Sequence, residues 1–261
     1  LFEPEAVTAA FNRLIVPGTD AVVCSHVSNV FGFIQPVEDI AAICRSRRVP
    51  FIIDASQSAG VLPLNMGALG AAFIAMPGHK GLYGPQGTGV LLCREDVPTR
   101  PLLEGGTGSQ SIQQQMPDFL PDRLEAGTLN MPGIAGLLAG IRYVRRGGQE
   151  KILAHEKHLT QIAAQGLAAM PGMRIFASPG LRHQTGVLSL TVEGLDVESI
   201  GSALAERGFA VRTGIHCAPS AHRTAGTLDT GTVRVSFSDF NTPEEVARLL
   251  RVFPGALGRA F

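Results

Sequence analysis

The loop 76-MPGHKGLYGPQGTGV-90 sets a lysine, Lys80, among glycines and prolines, where a long charged side chain has no evident solvating partner. Only three of the chain's 22 Lys and Arg residues are lysines, and the other two, Lys151 and Lys157, share one polar helical stretch. Either Lys80 is an ordinary turn residue, or its position requires an amine that arginine cannot supply. An amine that acts as a nucleophile near neutral pH needs desolvation or a cationic neighbour, and a loop of this composition is expected to desolvate it. One βα unit earlier the apolar run 51-FIID-54 ends on Asp54. A carboxylate at the end of a buried strand is costly without a cation, and ligands of open α/β sheets bind at the carboxyl ends of strands. Asp54 is thus placed to meet a cationic ring nitrogen, and Gln57 to offer the same ligand a neutral amide. The alternative for Asp54 is a side chain that caps a turn. A strand-end acid followed by a loop lysine is the pair that pyridoxal phosphate requires, the acid for its pyridinium nitrogen and the lysine for the Schiff base.

Two later residues could also do chemistry. Arg234 lies in 232-TVRVS-236, where strand alternation sets it opposite Val233 and Val235. A guanidinium there can fork onto a carboxylate; the plainer alternative is an arginine on the solvent face of a half-buried strand. Cys217 lies between Gly214 and Pro219, beside His216 and near Arg212. These surroundings are expected to favour a thiolate. Cys24, Cys44 and Cys93 lie in or beside apolar runs or helices and read as small core hydrophobes. His216, Cys217 and His222 would need further ligands to hold a metal, and the sequence gathers none, so no metal is expected.

Positioning these residues takes a framework of strands and helices. The first half alternates the two: a buried strand at 20–26, a helix at 36–48, then apolar runs at 50–54, 71–76 and 88–93. Pro36 suits the helix's first turn, Glu38 and Asp39 its N-terminus, and Arg45, Arg47 and Arg48 its end. Continuous apolar strands with intervening helices predict a parallel or mixed sheet covered on both faces. The apolar stretch 60–77 is broken by Pro63, Asn65, Gly67 and Gly70, and reads as a buried loop and strand rather than a membrane span. From residue 132 the pattern changes to helices at 132–146 and 149–170. Strands at 173–178, 185–192 and 232–238 then mix with helices at 196–208 and 242–253, the last carrying Thr242 and Glu245 as a capping box. The expected fold class is α/β, with a large domain on a mostly parallel sheet (1–131), a connecting helix (132–148) and a smaller α+β C-terminal domain (149–261). Hydrophobic content of 45% with 17% charged is globular. A net charge of zero leaves no basic surplus for nucleic acid. Four cysteines without a CxxC pair read as reduced thiols of a cytoplasmic protein. No signal peptide is visible, and the start LFEPEAVTAAF, without Met, leads to the expectation that this sequence begins inside a longer protein.

Six segments in order, 25-SHVSNVFGFIQPVEDIA-41, 53-IDASQSAG-60, 78-GHKGLYGPQGTG-89, 123-RLEAGTLN-130, 211-VRTGIHCAP-219 and 232-TVRVSFSDFNT-242, resemble the signatures of the cysteine desulfurase branch of class V aminotransferases. The resemblance spans nearly the whole chain. It implies a pyridoxal phosphate-dependent transferase of fold type I, with residues 1–131 as the C-terminal part of its large cofactor-binding domain. It implies that Lys80 carries the cofactor, Asp54 holds the pyridinium proton, and Gln57 contacts the ring hydroxyl. Asn29 would lie beside that hydroxyl and the substrate, and His79 would contact the phosphate. Thr128 would reach the phosphate of the neighbouring subunit in a homodimer. Arg234 would bind the substrate carboxylate, and Cys217 would accept sulfur, so that Lys80, His79 and Cys217 are the implied catalytic residues. The implied reaction turns L-cysteine into L-alanine and a persulfide on Cys217, which is passed to an acceptor protein or thiol. It calls for a mobile loop from Thr213 to about Thr230. Alternatives are an aminotransferase, a selenocysteine or other carbon–sulfur lyase on the same fold, or a catalytically silent fragment; a transaminase has no use for Cys217. Two departures stand out. Pro77 occupies the place where the family usually has Ser or Thr, and nothing before Asp20 matches the family's N-terminal portion. Activity is therefore expected of a longer protein.

Overall fold

The computed structural model describes residues 1–258. In chain order, helix α1 (Pro4–Leu14) precedes strand β1 (Val22–Ser25), helix α2 (Val37–Arg47), strand β2 (Phe51–Asp54), the one-turn helix α3 (Met66–Leu69), strand β3 (Phe73–Pro77) and strand β4 (Gly89–Cys93). A long loop leads to helices α4 (Met131–Gly147) and α5 (Gln149–Ala168), then strands β5 (Met173–Phe176) and β6 (Val187–Val192). Helix α6 (Val197–Ala205), strand β7 (Arg212–Gly214), helix α7 (Pro219–Ala225), strand β8 (Thr232–Ser236) and helix α8 (Pro243–Leu257) complete the order.

The strands form two sheets, ordered β1-β2-β3-β4 and β5-β6-β8-β7. In the first, β1, β2 and β3 run parallel and β4 antiparallel. Val22, Cys24, Phe51, Ile53 and Ile74 turn one face onto α1, α2 and α3, and form a core there with Ile40, Cys44 and Leu69. The opposite face carries two cross-strand rows, Val23–Ile52–Phe73–Cys93 and Ser25–Asp54–Ala75–Leu91. Among the described residues no helix layer covers this face, and Val23 is 67% exposed. The expected cover on both faces is therefore corrected to one. An apolar run in sequence cannot separate a strand buried on two faces from one whose second face lacks a neighbour.

The second sheet is antiparallel throughout. One face packs Leu188, Leu190, Val233 and Val235 against α5, α6 and α8 through Leu159, Leu167, Ile200, Leu204, Leu249 and Phe253. Its other face is covered by a segment of the first half: Val30 and Phe31 pack on Phe176 and Ala225, and Ser189 Oγ donates to the Val30 carbonyl at 2.6 Å. The two halves thus share a core.

Local chemistry sets the element ends. Arg48, at φ 57° in the left-handed region, stops α2, and Pro36 caps it from outside rather than from the first turn. Both halves of the capping box form at α8: Thr242 accepts from the Glu245 N–H, and the Glu245 carboxylate accepts from the Thr242 N–H. The stretch expected to be a mobile loop, 213–230, is largely built instead. It holds the end of β7 and all of α7, with Pro219 in the first turn, Gly226 as a left-handed stop at φ 69°, and His222 fully buried. Helices α1, α3 and α7 and strand β7 were not expected from the sequence.

Candidate active site

Lys80 sits in the loop between β3 and β4. The loop is closed by hydrogen bonds from Gly78 N–H to the Thr88 carbonyl, from Gly84 N–H to the Gly78 carbonyl and from Tyr83 N–H to the Lys80 carbonyl. Glycines press it onto the turn after β2. A Cβ at Gly81 would lie 2.4 Å from the Ala59 carbonyl oxygen, and one at Gly60 would lie 1.9 Å from the Gly81 carbonyl oxygen. This backbone-on-backbone contact draws the loop beside Gln57. It also explains a correction: Lys80 is exposed rather than desolvated. The glycines use the loop's close packing beneath the side chain, and no described element lies above it.

A cavity of about 390 Å³ brings together Gln57, His79, Lys80 and Arg234, with Ser56 and Glu156 among its other walls. Asn29, Asp54, Thr128 and Cys217 do not line it. Asp54 stands next to it, on the open face of the sheet. Its Oδ1 accepts from the Ser56 N–H at 2.9 Å and its Oδ2 from Ser25 Oγ at 3.2 Å. The turn-capping alternative is thus physically present, and no described cation pairs with the carboxylate. Asn29 is fixed to the cavity's edge: its carbonyl accepts from Arg234 Nη1 at 2.8 Å and its Nδ2 donates to the His216 carbonyl at 2.8 Å.

Arg234 projects from β8 between buried Val233 and Val235, as alternation requires. It faces away from the helix layer and into the cavity, half-buried. Its Nε is buried without a hydrogen-bond partner. Burial, and then the neighbouring Arg212, push its pKa down from the usual guanidinium value. A cation so placed gains from an anion more than a surface arginine would.

Cys217 is exposed. It and His216 take left-handed backbone angles in succession, φ 59° and 52°, which cost non-glycine residues about 1–3 kcal/mol each. The turn is held by Ala218 N–H on the Ile215 carbonyl and by Asn29 on His216. Burial, then Arg234 and His222, lower the His216 pKa to about 4. This shift favours the neutral imidazole beside Cys217. Burial raises the thiol pKa of Cys24 to about 11 and also raises those of Cys44 and Cys93. These three are core or sheet thiols. Among the described residues no three His, Cys, Asp or Glu side chains gather to hold a metal, and no helix is long and apolar enough to cross a membrane. Thr128 lies exposed in the loop between β4 and α4.

Sequence reasoning passed over Glu156 and Tyr83, which both line the cavity. The signal for Glu156 was present: it falls on the helical stripe of Ile152, Leu159, Ala163 and Leu167, where a carboxylate breaks an apolar pattern.

Comparison with known proteins gives the chain's family and its relatives. The model of the aminotransferase class-V family matches residues 5–249. A probable cysteine desulfurase of Mycolicibacterium paratuberculosis is 37% identical over 245 residues, covering 92% of this chain and 35% of that protein. One from Methanothermobacter thermautotrophicus is 36% identical over 238 residues, covering 88% and 59%. Among solved structures, an apo cysteine desulfurase from Thermococcus onnurineus superposes with a TM-score of 0.85 at 34% identity, over 98% of this chain and 63% of that one. A cysteine desulfurase from Escherichia coli gives 0.87 at 27% identity, over 97% and 63%. The chain therefore spans less than two thirds of the length of each of these relatives. With a family model matched from α1 into α8, the chain belongs to the aminotransferase class-V family.

Proposed function

We propose that the chain is the lysine-bearing part of a pyridoxal phosphate-dependent cysteine desulfurase. It would take sulfur from L-cysteine, release L-alanine and store the sulfur as a persulfide on Cys217. The observation that carries this reading is the convergence of Gln57, His79, Lys80 and Arg234 on one cavity, from the turn after β2, the loop after β3 and a strand of the second sheet.

The residues suit the cofactor. Lys80 has no ion-pair partner among the described residues, and Asp54 is bonded to neutral donors alone. The orphan Nε of Arg234 suits a substrate carboxylate. When bound, pyridoxal phosphate supplies an electrophilic aldehyde and an electron-withdrawing ring. Lys80 would be its covalent anchor and, as a free amine, the base that moves the substrate's α-proton. Asp54 would hold the ring nitrogen, Gln57 and Asn29 the ring hydroxyl, and His79 the phosphate. Arg234 orients the substrate by its carboxylate. The Cys217 sulfur attacks the substrate sulfur: a sulfur–sulfur bond forms, the carbon–sulfur bond breaks, and the carbon takes a proton on the way to alanine. Cys217 is tied to the substrate arginine through His216 and Asn29 but does not line the cavity, so sulfur transfer would require the 215–218 turn to move toward it.

Exposed apolar side chains on the same β4–α4 segment as Thr128, including Leu102 at 95% and Ile112 at 100% exposure, support a second copy of the chain as cover there. We place Thr128 at the neighbouring copy's phosphate in that homodimer. The two sheets, with α4 between them, support the division into 1–131, 132–148 and 149–261. Free thiols fit a cytoplasmic setting, and an acceptor protein or thiol would take the sulfur onward.

The test is borohydride reduction after incubation with pyridoxal phosphate, with peptide mapping, alongside assay of alanine and sulfide from L-cysteine. A pyridoxyl group on Lys80 and loss of persulfide in Cys217→Ala with cofactor absorbance intact are expected. Sulfur release unchanged in that variant rejects the role of Cys217. A second reading has its own observation: the exposed His79 and Lys80 and the open sheet face favour a chain that binds the cofactor only when another segment covers it. No pyridoxyl label on this chain, with a label on a longer natural form, selects that reading.

A further inference from the structure

The cavity that holds Lys80 has one wall the proposed reaction leaves unused. Glu156, midway along α5, lines it yet is only 5% exposed. Its carboxyl faces the backbone N–H of Gly186. A Cβ at Gly186 would lie 2.9 Å from Glu156 Oε2 and 3.0 Å from its Cβ, so glycine is what lets helix and strand approach this closely. Tyr83 lines the same cavity and packs against the apolar cluster that holds Ile152, one turn before Glu156 on α5. Tyr83 is a strained residue, left-handed at φ 53°, and its N–H donates to the Lys80 carbonyl at 2.8 Å. Its ring meets Tyr143 and Phe240 edge-on, with centroids at 5.4 and 5.1 Å. The Asp239 backbone N–H faces its hydroxyl, and the Tyr143 hydroxyl donates to the Asp239 carboxylate. The turn that carries Lys80 is thus clamped by Tyr143 of α4, by Phe240 of the turn after β8 and by the apolar cluster around Ile152 of α5.

We propose that Glu156 is a positioning residue for Lys80, joining the Lys80–Tyr83 turn to Gly186 at the head of β6 and so fixing how the amine meets the cavity. The inference rests on Lys80 being the reactive amine. No described cation pairs with Glu156. Its helix neighbours His155 and Lys157 are engaged by the carbonyls of Asn241 and Arg182. The groups facing it are Tyr83 from the Lys80 loop and Asp239 from the turn after β8, with His79, Lys80 and Arg234 farther round the cavity. Burial, partly offset by the Gly186 N–H and reinforced by Asp239, pushes its pKa up to about 8. A neutral acid is what a wall without a cation requires. Ionisation sets a second negative charge near Asp239 and beside Tyr83, and loosens the clamp.

The experiment reads Lys80 itself rather than turnover. The purified protein is trace-labelled with acetic anhydride between about pH 6 and pH 10, spanning the group's shifted range, and Lys80 acetylation is followed by mass spectrometry in wild type, E156Q and E156A. Labelling at each pH is compared as the ratio of wild type to variant, so that the contribution of Glu156 is read directly. The ratio of wild type to E156Q should be flat at low pH and depart several-fold as pH passes about 8, while E156A, which removes the link, should differ from wild type throughout. A ratio flat at every pH, or E156A labelled like wild type, overturns the proposal. Should E156A not fold, the infrared difference between wild type and E156Q at neutral pH decides: a protonated-carboxyl band supports the proposal and its absence overturns it. If pyridoxal phosphate fails to attach to Lys80 while these labelling differences persist, the proposed function falls and this inference stands.

Discussion

The two four-stranded sheets differ in what lies against them. The second is sandwiched, with α5, α6 and α8 on one face and the Val30–Phe31 segment with α7 on the other. The first has helices on one face, while the other shows Val23, Leu91 and the polar row of Ser25 and Asp54 to solvent. The chemistry-bearing residues divide along the same line. Arg234 rises from the enclosed sheet with its guanidinium half-buried and hydrogen-bonded, whereas Lys80 and Asp54 belong to the sheet that lacks cover. Enclosure fixes a group's electrostatics; an open face fixes only its position. Among the candidate site residues, burial drives shifts at Arg234 and His216, on the side where the packing is complete.

The largest effect should fall on the open side. Lys80→Ala should lower alanine production from L-cysteine in the complete enzyme by about a thousandfold, the scale of losing a base and covalent anchor together, and abolish borohydride trapping. Retention of a trapped pyridoxyl group elsewhere would move the anchor off this loop. Next, the contrast in packing itself can be measured. Leu190→Ala in the enclosed core should cost about 2–5 kcal/mol by chemical denaturation, while Val23→Ser on the open face should stay within about 0.5 kcal/mol. Equal losses would mean that something covers Val23 in solution.

Stability against pH should show two limbs, both from the enclosed side, where α5 and the turn after β7 pack on the second sheet. Glu156 has a folded pKa raised from 4.5 to about 8, so its contribution is complete below its unfolded value and lost as pH climbs through this interval. His216 has a folded pKa lowered from 6.5 to about 4, so its contribution is complete above 6.5 and lost as pH falls toward 4. The Glu156 limb amounts to a few kcal/mol by order of magnitude, and E156Q should flatten the decline in melting temperature on the alkaline side while leaving the acid limb in place. A decline that persists in E156Q assigns it to another group. The smallest effect is at the end of the enclosed domain: Thr242→Ala, which removes one half of the α8 capping box, should cost about 1 kcal/mol.

Much of this was legible in residues and spacing. The strand ending on Asp54, the lysine loop, the alternation at Arg234 and the Thr242–Glu245 cap are local patterns, and local patterns survive folding. The open face was not legible, because Val23 and Ile53 look alike in an apolar run and differ only in their neighbours. Helix α7 was missed for another reason. It is seven residues long, and its Pro219 and Gly226 also fit a surface loop until His222 is seen to be buried. The lowered pKa of His216 comes from burial, then Arg234 and His222, and burial and Arg234 reach it only through the fold.

The tuck of Val30 and Phe31 beneath the second sheet has a practical consequence. A cut anywhere between the lysine loop and α4 would leave the C-terminal piece with Phe176, Ala225 and Ser189 bared and with Arg234 deprived of its Asn29 anchor. Exchanging that piece between relatives should therefore succeed only when the 28–34 segment travels with it, so the unit of inheritance here is a patch of surface stitched from both ends of the chain.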